Sequence, residues 1–130
     1  MTDSIASWQD AVHRNALSKG WHEKPPCEVK AEAMVEPEGV DHDRVAALIA
    51  LIHSEASEAL EEVRVGKFKM YTVKDKNGED KPEGLEVELA DVIIRCLDTA
   101  GALGLNIESA MRANHAYNRK REPRHGAKHL

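Results

Sequence analysis

Apolar residues recur at helical spacing in four stretches of this chain, and glycine or proline punctuates the gaps between them. Ile5, Trp8, Val12 and Ala16 form one stripe, which predicts a helix over 4–19 with Asp3 as its cap and Gly20 as its stop. The following stretch, 21–40, holds Pro25, Pro26, Pro37 and Gly39 and no long period. It reads as a loop with a short helical turn near 29–34, of a length that suits a functional lid. A second helix is expected from Asp41 or Asp43 to about Val65, ended by Gly66. Its first half, VAALIALI, is apolar almost all round, as in a helix buried between others. Its second half turns acidic, yet Leu51, Glu55, Glu58 and Glu62 share one face, so the acids continue an inward row, with Glu61 slightly off it.

Over 67–83 the period changes. Phe68, Met70 and Thr72 alternate with Lys69, Tyr71 and Val73, and Asn77-Gly78 is a turn signal, so a small β-hairpin or exposed loop is expected there. A third helix follows over 84–103, with Leu85, Leu89, Val92, Cys96, Leu97 and Ala100 as its stripe. Glu88, Asp91, Arg95 and Asp98 lie on another of its faces, and Asp91 with Arg95 makes an i,i+4 pair. Gly104 closes this helix, Asn106 caps a fourth from Ile107 to about Lys120 or Arg121, and Pro123 ends it. The chain thus reads as all-α, a single domain over 1–130 with a small insertion between two acidic helices and a basic, partly flexible tail over 122–130.

Composition and charge sharpen this picture in four ways. Aromatics are only 4% against 42% hydrophobic residues, so the core is Leu, Ile, Val and Ala, which suits packed helices. The longest apolar run, Val45 to Ile52, is far too short to span a bilayer, which takes about 20 residues. Neither a signal peptide nor a metal or redox spacing of Cys27 and Cys96 is visible, which points to the reduced cytoplasm. The net charge of -5 hides an asymmetry, since the stretch from Arg112 onward holds six Lys/Arg and one acid. Such a tail suits phosphate groups held by the acidic body, or simply a solvated helix end.

The acids carry the chemistry. Glu55 with Glu58, and Glu88 with Asp91, are spaced three apart, so each pair stands on one helix face. Two such pairs facing each other would repel, at roughly 3 kcal/mol per contact for about 5 Å and an effective dielectric of about 20. They point to water or they hold a divalent cation. A di-iron site needs Glu-x-x-His on two helices, whereas the acidic pairs here are Glu-x-x-Glu and Glu-x-x-Asp, with no histidine at the needed offset. Zinc needs histidine or cysteine, and neither clusters in the sequence. Oxygen ligands alone favour Mg²⁺, with Mn²⁺ as a substitute, and Mg²⁺ bound this way typically shares its shell with substrate phosphates.

At these residues the chain resembles a known family, the MazG-like all-α nucleoside triphosphate pyrophosphohydrolases. The E-x-x-E and E-x-x-D pairs carry the likeness, together with KGWHEKPP (19–26), ALIHSEASEALEE (50–62), KPEGLEVELADVIIRCLD (81–98) and YNRKREPRHGAKH (117–129), as in the small single-domain members of bacteria and phages. The resemblance implies a bundle of four to five helices assembled as a homodimer or homotetramer. It also implies Mg²⁺-dependent cleavage of a (deoxy)nucleoside triphosphate between the α and β phosphates, which cleanses or reshapes a nucleotide pool. By position it makes Glu55, Glu58, Glu88 and Asp91 the metal ligands. Ser54 stands where relatives often have an acid, which leaves Glu58 or Glu62 to accept the nucleophile's proton. Phosphate and nucleotide contacts fall on Asn114, Asn118, Arg121 and Lys128, with Asn114 where many relatives have Lys and Glu122 intervening before Pro123. Trp21 is either a core plug or a base-stacking residue, Arg95 a group that orients Asp91, and His125 part of a turn or a contact.

Two other readings remain open at this stage. The same metal site would serve pyrophosphate removal from another phosphorylated metabolite such as phosphoribosyl-ATP. A non-catalytic helical module, its acids solvated and its basic arm gripping a partner, is the alternative from a different class. Nucleic acid is disfavoured as that partner, because no aromatics interleave with the basic residues and the body is acidic.

Overall fold

Ser4, not Asp3, starts the first helix. Its hydroxyl accepts from the Ser7 backbone N–H while the Ser7 hydroxyl accepts from that of Ser4, a reciprocal cap that satisfies two otherwise unpaired donors. Asp3 lies outside the described residues, which run from 4 to 123 in this computed structural model. The helix, α1, spans Ile5–Ser18. Asp41 caps α2, His42–Val65, by accepting from the Arg44 N–H, and Gly66 ends it in the left-handed conformation. A hairpin follows as expected, β1 (Tyr71–Lys74) pairing antiparallel with β2 (Asp80–Glu83) in the register Tyr71 to Glu83. Then come α3, Leu85–Leu103, and α4, Ile107–Lys120, capped by Asn106. The helices and the hairpin between the two acidic ones match the sequence reading. No helix among the described residues is long and apolar enough to cross a membrane.

α3 is the centre of the arrangement, with α2 against one side and α1 against another, and α4 leaning on α1. Its C-terminal half supplies most of the core, with Leu97, Ala100, Ala102 and Leu103 buried along with Leu48 and Ala59 of α2 and Cys27 of the loop. Small side chains at these positions let helix backbones approach closely. Gly101 shows how closely: a Cβ there would lie 2.7 Å from both Cβ and Cγ of His13 in α1.

Three expectations change. The segment near 29–34 is not a helical turn, because its backbone pairs elsewhere, through bridges of Val29 with Glu38 and of Glu32 with Val35 and through the Ala31 N–H to the Leu103 carbonyl. Met34 sits at the tip of that turn with φ of 63° and full exposure. The apolar first half of α2 is not buried all round, since in one chain only α3 packs along it, and Ile49 stays 42% exposed. The buried residue of α1 is His13, outside the predicted stripe, while Trp8 is half-exposed.

Gly101→Ala is expected to destabilise the protein. Prising α1 from α3 costs about 1–3 kcal/mol, which outweighs the roughly 1 kcal/mol that alanine gains in helix propensity. A urea or thermal melt reads the difference, and a variant as stable as the parent would show that this helix contact is looser than described.

Candidate functional site

The acidic halves of α2 and α3 meet. One carboxylate oxygen each from Glu55, Glu88 and Asp91 lies within 4.8 Å of the others, a spacing able to hold a metal ion. Glu58, exposed at the edge, hydrogen-bonds to Glu88, so the fourth acid belongs to the cluster as a partner of Glu88 rather than as a member of the tight trio. Burial, then the charges of Glu58 and Asp91, push the Glu88 carboxyl up to about 7. Asp91 is raised by burial and by Glu55, with Arg95 and Lys81 pulling it back. Glu88 and Glu62 each retain a buried carboxylate oxygen with no hydrogen-bond partner. Crowded, partly orphaned oxygens with no nitrogen or sulfur among them are the donor set of a hard cation.

Beside this trio opens a pocket of about 470 Å³, lined by Glu55 and Asp91 at one part and by Trp8, Trp21 and Asn15 at another, with Arg95 between. Trp21 is 46% exposed, so it is a pocket wall and not a core plug. Its carbonyl accepts from Arg44 Nη2 at 2.9 Å, and the Arg95 guanidinium lies over its ring, 4.3 Å from the centroid. Arg95 does not pair with Asp91 as its i,i+4 spacing suggests. Its Nε donates instead to Glu55 Oε1 at 3.0 Å, across the helix seam.

A second cluster, unforeseen in the sequence, corrects the expectation that no histidines converge. His13 and His22 meet Asp98, all three side chains at most 10% exposed. Such a trio can in principle hold a metal, but the partners argue for protons. Lys30 Nζ lies 3.1 Å from His13 Nε2, and an ammonium can only donate. Nε2 therefore accepts, Nδ1 carries the proton, and it donates to Asp98 Oδ1 at 2.8 Å. His22 Nε2 faces both Asp98 oxygens, at 2.9 and 2.8 Å, as the second donor. The visible signal was an acid in the otherwise apolar run CLDTAGAL, a charge that had to find donors if that face was core.

The last helix is placed apart from the acids. α4 leans on α1, helped by Gln9, whose amide reaches the Leu105 carbonyl and the Ile107 N–H. Asn114, Asn118 and Arg121 are exposed, none lines the pocket, and Arg121 lies over the Tyr117 ring. Within one chain they do not join Glu55, Glu88 and Asp91. Lys128 and His125 lie outside the described residues. No family model, no curated protein and no solved structure matches the chain.

The raised carboxyl has a measurable consequence in metal-free protein. Glu88 holds a proton in the folded state that the unfolded chain, with its ordinary carboxylate, releases at lower pH. The folded state therefore binds more protons across that window, and stability must fall as pH rises through it. In chelator, the melting temperature is expected to drop by a few degrees between about pH 5 and pH 8, and Glu88→Gln to flatten the slope. A melting temperature that climbs over this range would mean that Glu88 is ionised and well paired.

Proposed function

We propose that the chain is a nucleoside triphosphate pyrophosphohydrolase, which cleaves a (deoxy)nucleoside triphosphate between its α and β phosphates. The observation that carries this reading is the convergence of Glu55, Glu88 and Asp91 beside a pocket walled by Trp8 and Trp21. An acidic trap for a cation stands next to an aromatic recess large enough for a nucleobase, the two ends that a metal-bound nucleotide presents. The resemblance of four sequence stretches to MazG-like enzymes points the same way.

In this reading Glu55, Glu88 and Asp91, joined by Glu58, hold Mg²⁺, with Mn²⁺ as a substitute. Bound there, the ion neutralises phosphate oxygens and makes a nearby water more acidic. The protein's own part is to orient and to move a proton. A water oxygen bonds to the α-phosphorus, the bond to the bridging oxygen breaks, and pyrophosphate leaves with that oxygen. Glu58 takes the water's proton. It is the exposed acid of the cluster, able to pass the proton on to solvent, and Glu62 backs it with an unpartnered oxygen. Trp21 stacks on the base.

Asn114, Asn118, Arg121 and Lys128 contact phosphates in this reading, and a homodimer or homotetramer brings them in from a neighbouring copy. Two features support assembly. α4 has no buried residue, and Leu60, Leu89 and Ile93 on the acidic helices are 51–57% exposed, an apolar surface that a second copy would cover.

Incubating the protein with a panel of dNTPs and Mg²⁺ is expected to release pyrophosphate and monophosphate in equal amounts, resolved by phosphorus NMR. Chelation should stop the reaction, and Glu88→Gln should slow it at least about a hundredfold, since it removes a direct cation ligand. Release of single phosphate would sink the α,β assignment. Ile93→Glu is expected to shift the protein from dimer or tetramer to monomer in sedimentation velocity, and a monomeric parent would remove the assembly from this proposal.

A further inference from the structure

We propose that Arg95 is a positioning residue that couples the cation site to the nucleotide pocket, fixing Glu55 with its edge and Trp21 with its face. The inference rests on the reading above and adds to it a physical link between its two ends.

A guanidinium offers donors only around its rim and leaves both flat faces free for stacking. Arg95 uses both at once. Its Nε donates to Glu55 Oε1 at 3.0 Å, with Arg95 24% and Glu55 13% exposed, so water competes little for either group. Its Cζ lies over the indole of Trp21, 4.3 Å from the ring centroid, close enough for the guanidinium to stack on the ring. A carboxylate has about four lone-pair sites, so the bond to Arg95 leaves the other oxygen of Glu55 for a cation. This is the supporting contact that sets a ligand's rotamer before the ion arrives.

Trp21 needs such a support. It stands on a loop, beyond the end of α1. Its backbone is anchored by Arg44 on its carbonyl and by the next residue, His22, on Asp98. Those anchors stop at the main chain, while the half-exposed ring itself lies against Arg95. A cation that immobilises Glu55 therefore immobilises Arg95 and, through it, the ring. A flat ligand stacked on Trp21 stiffens the same three groups in reverse order. Binding at each end should strengthen binding at the other by one common factor.

The test uses the full chain carrying Trp8→Phe, which leaves Trp21 as its single tryptophan. Mg²⁺ alone is titrated in, followed by calorimetry and by tryptophan emission, with circular dichroism as the check on folding. Mg²⁺ is expected to bind and to shift the emission of Trp21. Arg95→Met should weaken Mg²⁺ binding about ten- to a hundredfold and abolish the emission response. Arg95→Lys keeps the charge and loses the flat face. It should hold Mg²⁺ affinity within about fivefold yet abolish the response, and it carries the test should Arg95→Met not fold. Mg²⁺ binding that leaves Trp21 emission unmoved, or unchanged affinity in Arg95→Met, overturns the coupling and leaves the cation site standing. Calorimetric silence of the parent protein toward millimolar Mg²⁺ overturns the cation site and the coupling together.

Discussion

Like charges forced together along the seam of α2 and α3 constrain the rest of the molecule. The two helices adhere through Leu48, Ala59 and Leu97, and that adhesion draws in the acids that continue the same helix faces. Each carboxylate is then compensated differently. Glu88 is pushed up to about 7 by burial and by the charges of Glu58 and Asp91, Glu55 accepts from Arg95, and Asp91 feels the positive charges of Arg95 and Lys81. None of these partners comes from the surrounding apolar core. The hairpin contributes Lys81, and α3 contributes Arg95. The insertion between the acidic helices is therefore part of how their charge is balanced, and not only a connection.

Much of this was legible in the chain because it is local. Helix α2 announces itself by Asp41 and Gly66, α3 by its stripe and Gly104, and the hairpin by Asn77-Gly78. The acid pairs follow from spacing alone, since i and i+3 share a face wherever the helix goes. What periodicity does not contain is the choice of partner. Arg95 has Asp91 one turn away and yet bonds Glu55, forty positions earlier. A local helix pair is worth only a few tenths of a kcal/mol, so a hydrogen bond to a carboxylate across the seam readily overrides it. Trp21 escaped for a related reason, because nothing in KGWHEKPP says which side of its loop faces the interior.

The cluster around Asp98 shows what burial demands of a charge. Its oxygens receive protons from two imidazoles, and one imidazole is polarised in turn by Lys30. Removing one partner of such a set typically costs several kcal/mol, because the remaining charge is left uncompensated. The arrangement joins α1, the loop after it and α3 at one point, with Gly101 allowing His13 to come near enough. The wall of the pocket is thus hung on a buried polar contact centred on Asp98, about two turns beyond Asp91 on α3.

α4 has a different standing. It is a helix of 14 residues with no side chain fully enclosed, and isolated helices shorter than about 12–15 residues are marginal in water. In the single chain its order rests on α1 and the Gln9 contacts. Under the proposed assembly, a protomer that associates with its like would gain helix content by mass action. In that assembly dilution would unwind this end of the molecule first, and the amount of protein present would set how much of α4 is folded.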